Sequence, residues 1–180
     1  MASGSNERRE RLLDAAQYLF LRNGFRGTSM EAIAREARVA KPTLYGNFQD
    51  KDEVLAATTS RLMTRLAEAF ERGLGGPGSP AERIARALGD KHGLVLELLA
   101  GSPHAEELYS EHSRLSGAAI AEFEASLVAR IAGQLADMGM MPAEQMARII
   151  VAGADGIARH AGDAAALRAD IGFLVRRLLA

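Results

Sequence analysis

A short polar surface between residues 41 and 47 carries the side chains with the clearest chemical potential in this chain. At about 100° per residue, Leu44 and Phe48 point the same way and form the inward face of one helix. The surface turned outward consists of Lys41, Pro42, Thr43, Tyr45, Gly46 and Asn47. Its small central residues allow close approach of the backbone, and its cationic, hydroxyl and amide groups can reach phosphates and base edges. This combination suits the major groove of duplex DNA.

A second helical pattern precedes this surface. Its apolar stripe at i, i+3, i+4 and i+7 consists of Met30, Ile33, Ala34 and Ala37. Thr28 and Glu31 match the capping-box spacing, which predicts where this helix begins. Pro42 favours an early helical position, so the next helix is predicted from about Lys41 to Phe48. Residues 29–48 therefore predict a helix-turn-helix.

A candidate anion site follows at Lys51. Asp50 and Glu53 form another capping-box pair, which predicts a helix start at this point. The free amides of that first turn and the Lys51 ammonium would together attract an anion such as a DNA phosphate.

The segment from Thr28 through Lys51, with Thr-Leu-Tyr at 43–45, resembles the tetracycline-repressor (TetR) family. The resemblance covers roughly residues 7–55. It includes an upstream helix whose apolar stripe is Leu12, Ala16, Leu19 and Phe20, ended by Asn23-Gly24-Phe25. Beyond residue 60 the resemblance implies only the general architecture of the family and no specific residues.

The resemblance implies that Thr28 lies against the DNA backbone, that Lys41, Thr43 and Tyr45 lie at the groove, and that Lys51 binds phosphate. The family often has His where this chain has Asn47, and Asn can hydrogen-bond adenine through two groups. The predicted DNA-binding set is Thr28, Ser29, Lys41, Pro42, Thr43, Tyr45, Gly46, Asn47 and Lys51.

Composition agrees with an intracellular regulator. The 180-residue chain has no Cys, so disulfides and thiolate metal sites are excluded. It lacks both a signal-peptide hydrophobic core and an apolar run of about 20 residues, so we expect a cytoplasmic protein without a membrane partner. Residues 1–52 hold nine Lys/Arg and seven Asp/Glu, hence +2, and the remainder carries −3. This modest asymmetry predicts weak, salt-sensitive nonspecific DNA binding, so that useful affinity requires a dimer.

The hydrophobic periodicity predicts an all-α fold of about nine helices. We expect a disordered tail at 1–6, a three-helix DNA-binding domain at 7–53, and a helical effector-binding and dimerisation domain at 54–180. A Gly/Pro-rich linker occupies 73–80, and one long helical stretch, from Pro103 to about Met138, has a possible interruption near Ser113.

The last two predicted helices concern assembly. The first of them is apolar on two faces, so it needs two partners. The resemblance implies a four-helix homodimer interface, predicted at Ile149, Gly153, Gly156, Leu167, Ile171, Leu174 and Leu178. The alternative is that this pair of helices closes the core of one subunit.

The resemblance also places a small-molecule pocket in the middle helices. The candidate lining residues are Met63, Phe70, His92, Tyr109 and Phe123, each of which could instead be ordinary core or surface. A further cluster, His104, Glu107, Glu111 and His112, has metal-donor groups. Without a recognised ligand motif, solvated helix charges are the favoured interpretation, and we predict no metal and no cofactor.

Two other function classes are alternatives to a DNA-binding regulator. The chain has no nucleophile elbow, P-loop, dinucleotide fingerprint or His-Glu metal motif, so an enzyme is not expected. A helical module that binds protein would bind equally at low and high salt. The resemblance favours a repressor that a small-molecule ligand releases from a palindromic operator.

Overall fold

The computed structural model describes residues 2–180, with side chains from residue 6 onward, and this range is helical without strands. The helices are α1 (Ala2–Asn23), α2 (Met30–Glu36), α3 (Lys41–Tyr45), α4 (Lys51–Leu74), α5 (Pro80–Leu99), α6 (Ala105–Asp137), α7 (Ala143–His160) and α8 (Ala164–Leu178). The all-α prediction is confirmed. Of the tail predicted at 1–6, Met1 lies outside the described residues and the backbone that follows it is already helical.

Helix α6 contains one break. Ser116 has φ −128° and ψ 16°, which is not helical backbone. The interruption predicted near Ser113 therefore exists three residues further on. Counting α6 as two helices gives the predicted nine for residues 2–180. We find no helix in that range with the length and apolar character needed to cross a bilayer.

The residues form two compact units. The first comprises the chain up to Leu62 together with Gly101–Ala118, and the second comprises Met63–Ala100 and Ala119–Ala180. The sequence had assigned residues 101–118 to the 54–180 domain, whereas here Leu108 is 3% exposed within the core built by α1 to α4. A helix from the middle of the chain thus completes the N-terminal core.

In the first unit, α1 ends where the sequence predicted. Leu12, Leu13 and Ala16 are buried on its inner face, and the rings of Phe20 and Phe25 lie 5.7 Å apart across its end. Gly24 has φ +74°, a left-handed conformation that glycine adopts without the steric cost of a Cβ.

In the second unit, α5 begins at a complete capping box. Ser79 Oγ accepts a hydrogen bond from Glu82 N at 3.3 Å, and Glu82 Oε2 accepts one from Ser79 N at 2.7 Å. Asp163 caps α8 by accepting hydrogen bonds from Ala165 N and Ala166 N. Helix α8 packs on both α5 and α7, which closes the core of this unit.

Candidate nucleic-acid interface

The N-cap of helix α2 is Ser29, so the cap predicted at Thr28 is wrong. Ser29 Oγ accepts the hydrogen bond of Ala32 N at 3.1 Å. The Thr28 side chain is 2% exposed, and its hydroxyl donates to Gly24 O at 2.8 Å. Thr28 therefore ties the end of α1 to the start of α2, and its hydroxyl faces the protein interior; a contact of Thr28 with the DNA backbone stays a prediction.

The turn between α2 and α3 is formed by backbone. Arg38 adopts φ +55°, in the left-handed region that non-glycine residues seldom occupy, and its side chain is exposed. Val39 N then donates to Ala34 O at 3.0 Å, which closes the turn against the end of α2.

Helix α3 is anchored from one side, as predicted. Leu44 and Phe48 are 0% and 1% exposed, and Phe48 N donates to Leu44 O at 2.9 Å. Regular helix ends at Tyr45, three residues before the predicted end. Pro42 occupies the first turn, where its missing N–H removes no hydrogen bond.

The outward face of α3 presents the predicted groups. The Lys41 side chain is 60% exposed and Tyr45 is 48% exposed. Pro42 and Gly46 are also exposed, whereas Thr43 and Asn47 are half-buried. Asn47 Nδ2 donates to Thr43 O at 2.7 Å, so the amide is oriented by its own helix. The second N–H and the Oδ1 of Asn47 stay available for the two-group contact to adenine considered above.

An ion pair joins the two helices of the motif. Lys41 Nζ lies 3.2 Å from Glu31 Oε1, and both side chains are about half exposed or more. Hydrogen bonds from its own backbone and from Lys41 lower the pKa of Glu31. Glu31 thus neutralises part of the positive charge that Lys41 places at the start of α3.

Lys51 is engaged within the protein. Its ammonium donates to Phe25 O and Thr28 O, each at 2.7 Å, and lies 4.4 Å from the centroid of the Phe25 ring. Asp50 accepts from Glu53 N as the predicted cap, at 2.8 Å. The position at the start of α4 agrees with the sequence analysis, but the ammonium supports the α1–α2 loop, and phosphate binding by Lys51 stays a prediction.

Residues 101–118 hold the same loop from another side. Ser102 Oγ donates to Leu21 O at 2.7 Å, and Glu107 Oε1 accepts from Arg26 N at 2.9 Å. Glu111 lies 3.7 Å from an Arg26 guanidinium nitrogen. Sequence reasoning missed these roles because the partners are about 80 residues apart.

Each of the four residues considered as a metal cluster has a partner within the protein. His104 Nδ1 lies 3.5 Å from Glu107, whereas Glu111 pairs with Arg114 at 2.7 Å and His112 hydrogen-bonds Thr59. Glu111 is 9% exposed and burial lowers the pKa of His112, so the favoured interpretation as solvated charges is wrong for these two. They belong to the packing of the first unit.

The candidate pocket residues divide between the two units. Phe70 and His92 are 0% and 7% exposed in the second unit, and Met63 and Phe123 are half-buried there. Tyr109 is 62% exposed and belongs to the first unit, so it is not a cavity-lining residue.

The candidate interface residues also divide. Leu167 and Ile171 are both 0% exposed in the core of their own subunit, which removes them from a dimer surface. Gly153, Leu174 and Leu178 are half-buried, and a Cβ on Gly153 would lie 2.6 Å from Leu174. The exposed members of the set are Ile149 and Gly156. Phe173, which the sequence analysis did not single out, is 59% exposed on α8.

Known proteins share both this fold and its N-terminal sequence. The family described as "Bacterial regulatory proteins, tetR family" has a sequence model that matches residues 12–58. The HTH-type transcriptional regulator HbdR of Aromatoleum sp. (strain CIB) is 34% identical over 82 residues, which are 46% of this chain and 36% of HbdR. The chain therefore matches about a third of that relative's length.

Two further similarities extend over most of the chain. The HTH-type transcriptional repressor Rv3405c of Mycobacterium tuberculosis (strain ATCC 25618 / H37Rv) is 31% identical over 136 residues, covering 73% of this chain and 69% of that protein. The crystal structure of a TetR-like transcriptional regulator from Rhodococcus sp. RHA1 has a TM-score of 0.71 at 29% identity, covering 96% of this chain and 95% of that one. With its helix-turn-helix and its all-helical fold, this chain is a transcriptional regulator of the tetR family.

Proposed function

We propose that the chain is a repressor that acts as a homodimer on a palindromic DNA operator in the cytoplasm and is released by a small molecule. In this proposal, residues 7–53 bind DNA, and residues 54–180 supply dimerisation and the effector site. The observation that carries it is the exposed face of α3 at Lys41, Pro42, Tyr45 and Gly46, held outward by buried Leu44 and Phe48.

The chemistry of this face supports groove binding. Gly46 and Pro42 present little bulk, Lys41 can pair with phosphate, and the Tyr45 hydroxyl can hydrogen-bond phosphate or a base edge. Ser29 is exposed immediately before α2. Its hydroxyl and the free amides of the first turn could contact the DNA phosphates beside the same groove.

An exposed apolar surface on α7 and α8 supports the homodimer. Ile149 and Phe173 are 48% and 59% exposed, although both belong to helices whose other faces are buried. Ala152 and Gly156 lie on the exposed side of α7, where small side chains permit close helix approach. Two-fold pairing through this surface would present two copies of α3, as half-sites about 34–36 Å apart require.

Repression is proposed from the name of a relative, and release from the thermodynamic coupling between ligand binding and DNA binding. The name of Rv3405c identifies that relative as a repressor. A ligand can release DNA only if it binds the DNA-incompetent conformation more tightly than the competent one. We place its site in the second unit, where Met63, Phe70, His92 and Phe123 lie.

The test starts from DNA selection. Duplexes retained by the purified chain from a random pool should share a two-fold symmetric motif, and binding should show a steep salt dependence. Tyr45→Ala should weaken binding to the selected duplex tenfold or more. A reporter downstream of that motif should be silenced when the chain is expressed, and reporter activation would identify an activator instead. A pool that yields no enriched sequence would contradict the proposal.

A further inference from the structure

A buried polar cluster lies between α5 and α7 in the second unit. Lys91 and His92 are adjacent on α5, and their side chains are only 8% and 7% exposed. Asp155 on α7 meets both of them: its Oδ1 lies 3.2 Å from His92 Nε2 and 3.5 Å from Lys91 Nζ. Sequence reasoning had singled out only His92.

The protonation of the cluster follows from its contacts. Burial alone would raise the pKa of Asp155, but the hydrogen bond from His92 and the charge of Lys91 hold that pKa below its ordinary value. Burial lowers the pKa of His92, so the imidazole is neutral near pH 7. Asp155 is therefore an anion that accepts the Nε2–H of His92.

This arrangement leaves Lys91 short of acceptors. Once Nε2 of His92 carries the proton, it cannot accept from the ammonium 3.4 Å away. Among the described residues, the remaining acceptor is Asp155 Oδ1, at the long distance of 3.5 Å. An ammonium has three N–H donors, and a buried charge is costly unless those donors are satisfied.

The neighbouring cation does not share this deficit. Arg168 of α8 approaches α5 near Gly93, and its guanidinium nitrogens lie 3.5 Å from Asp90 and 3.4 Å from Glu97. These contacts are solvent-exposed and pair the arginine with carboxylates on α5. Unlike Arg168, Lys91 therefore has N–H donors left for an additional acceptor.

We propose that the Lys91 ammonium, seated beside His92 and Asp155, binds the carboxylate of a small organic acid, and that this acid is the effector. The inference rests on the proposed function. A singly charged carboxylate suits the site better than a doubly charged phosphate ester, because Asp155 and the nearby Glu124 already place negative charge around His92.

The surroundings of the cluster favour an acid with an apolar body. One helical turn before Lys91 is Leu88, which is buried in the hydrophobic core of the second unit, and one turn after Asp155 is Ala158, which packs against that core. Half-buried Leu96, Phe123 and Ile157 pack against the same core. Burying the apolar part of a ligand among such side chains would provide affinity, and the ammonium would provide selectivity for the acid.

The test compares acids with their uncharged amides in calorimetric titrations of the full chain without DNA. Three pairs of probes vary in shape: benzoate and benzamide, 4-phenylbutyrate and 4-phenylbutyramide, octanoate and octanamide. At least one acid should bind tenfold or more tightly than its amide, and Lys91→Met should abolish that preference. The corresponding alkyl or aryl phosphate should bind more weakly than the acid.

Two further variants keep the result interpretable. Lys91→Met leaves the Asp155 carboxylate without its cationic partner and could unfold, so Lys91→Met/Asp155→Asn removes both charges and should also lose the preference for the acid. Arg130→Met removes a cation from the surface of the same unit and should retain it. The proposal is overturned if no acid is preferred over its amide, or if the double variant keeps the wild-type preference. Because DNA is absent from these titrations, either outcome leaves the selection of an operator unaffected.

Discussion

The ammonium of Lys51 donates a 2.7 Å hydrogen bond to the carbonyl oxygen of Thr28, the residue immediately before the cap of α2. This bond joins the start of α4 to the point at which the helix-turn-helix begins. The lysine thus helps to position α2 and α3 through contacts within the first unit, in addition to any contact it makes with a phosphate.

Replacing Lys51 with Met should separate these roles. Two charge-assisted hydrogen bonds would be lost, so the free energy of unfolding should fall by about 2 kcal/mol. DNA affinity should fall through misplacement of α2, with the slope of log K against log salt unchanged. Urea denaturation and fluorescence-polarisation titrations at several salt concentrations would measure both. A slope reduced by about 0.9 for each lysine removed, at unchanged stability, would instead make Lys51 a phosphate ligand.

Lys41→Ala should have the opposite signature. The side chain is exposed and its ion pair with Glu31 is solvated, so stability should change by less than about 0.5 kcal/mol. The salt slope should fall by roughly two for a dimer that loses two phosphate contacts. Arg130→Ala, which removes an exposed, ion-paired cation from α6, is the matched control and should leave the slope unchanged. Equal slopes for wild type and Lys41→Ala would remove Lys41 from the interface.

Phe173→Glu should convert a dimer into a monomer. The ring is 59% exposed on α8, so the substitution costs the subunit core little, but it would bury a charge in the proposed interface. Light scattering coupled to size exclusion would report the mass. Met141→Glu, at a methionine that is 81% exposed outside both helices, should remain dimeric. A dimeric Phe173→Glu protein would exclude this surface.

Two glycines in the second unit should respond in opposite directions to alanine. A Cβ on Gly73 would lie 2.6 Å from Ala87 Cα, so Gly73→Ala should force α4 from α5 and lower the free energy of unfolding by about 1–3 kcal/mol. Gly133 lies inside α6 with nothing within 4 Å of such a Cβ. Gly133→Ala should raise that free energy by about 0.5–1 kcal/mol, because alanine favours helix. Denaturation curves that rank the two variants the other way would contradict the packing described.

Stability should fall as the pH drops below neutrality. Burial lowers the folded-state pKa of His112 below its ordinary 6.5, so the unfolded chain binds the proton more readily. The stabilisation is present above that ordinary pKa and is lost as the pH falls from it towards the folded-state value. Unfolding midpoints at pH 7.5, 6.5 and 5.5 should therefore decline, and less steeply in His112→Gln. Some decline should persist, because burial also lowers the pKa of His92. Parallel profiles would show that His112 does not contribute.

Local sequence patterns were sufficient for the recognition helix. The spacing of Leu44 and Phe48 determines which side of α3 is buried, and the outward residues follow from it. The cap of α2 was predicted one residue early because the spacing of Thr28 and Glu31 fits the capping-box sequence pattern. Its hydroxyl is used instead by Gly24 O and Leu19 O at the end of α1, a demand that arises only when the helices pack.

The hydrophobic periodicity does not predict which distant elements pack against each other. The apolar stripe of α8 predicts a buried face without saying whether the partner belongs to the same subunit, and Leu167 and Ile171 face their own core. Similarly, no local signal brings Glu107 to Arg26, since the chain between them forms four complete helices, α2 to α5. In the sequence, Lys91 and Asp155 resemble ordinary surface charges; only the fold buries Lys91 and brings the two together.

The participation of Leu108 and Leu115 in the N-terminal core has a consequence for protein engineering. A chimaera that joins only the first 53 residues to the C-terminal domain of another regulator would lack the two leucines that complete the core of the transferred segment. Exchange of operator specificity between such proteins should therefore succeed more often when the stretch from 101 to 118 travels with the graft.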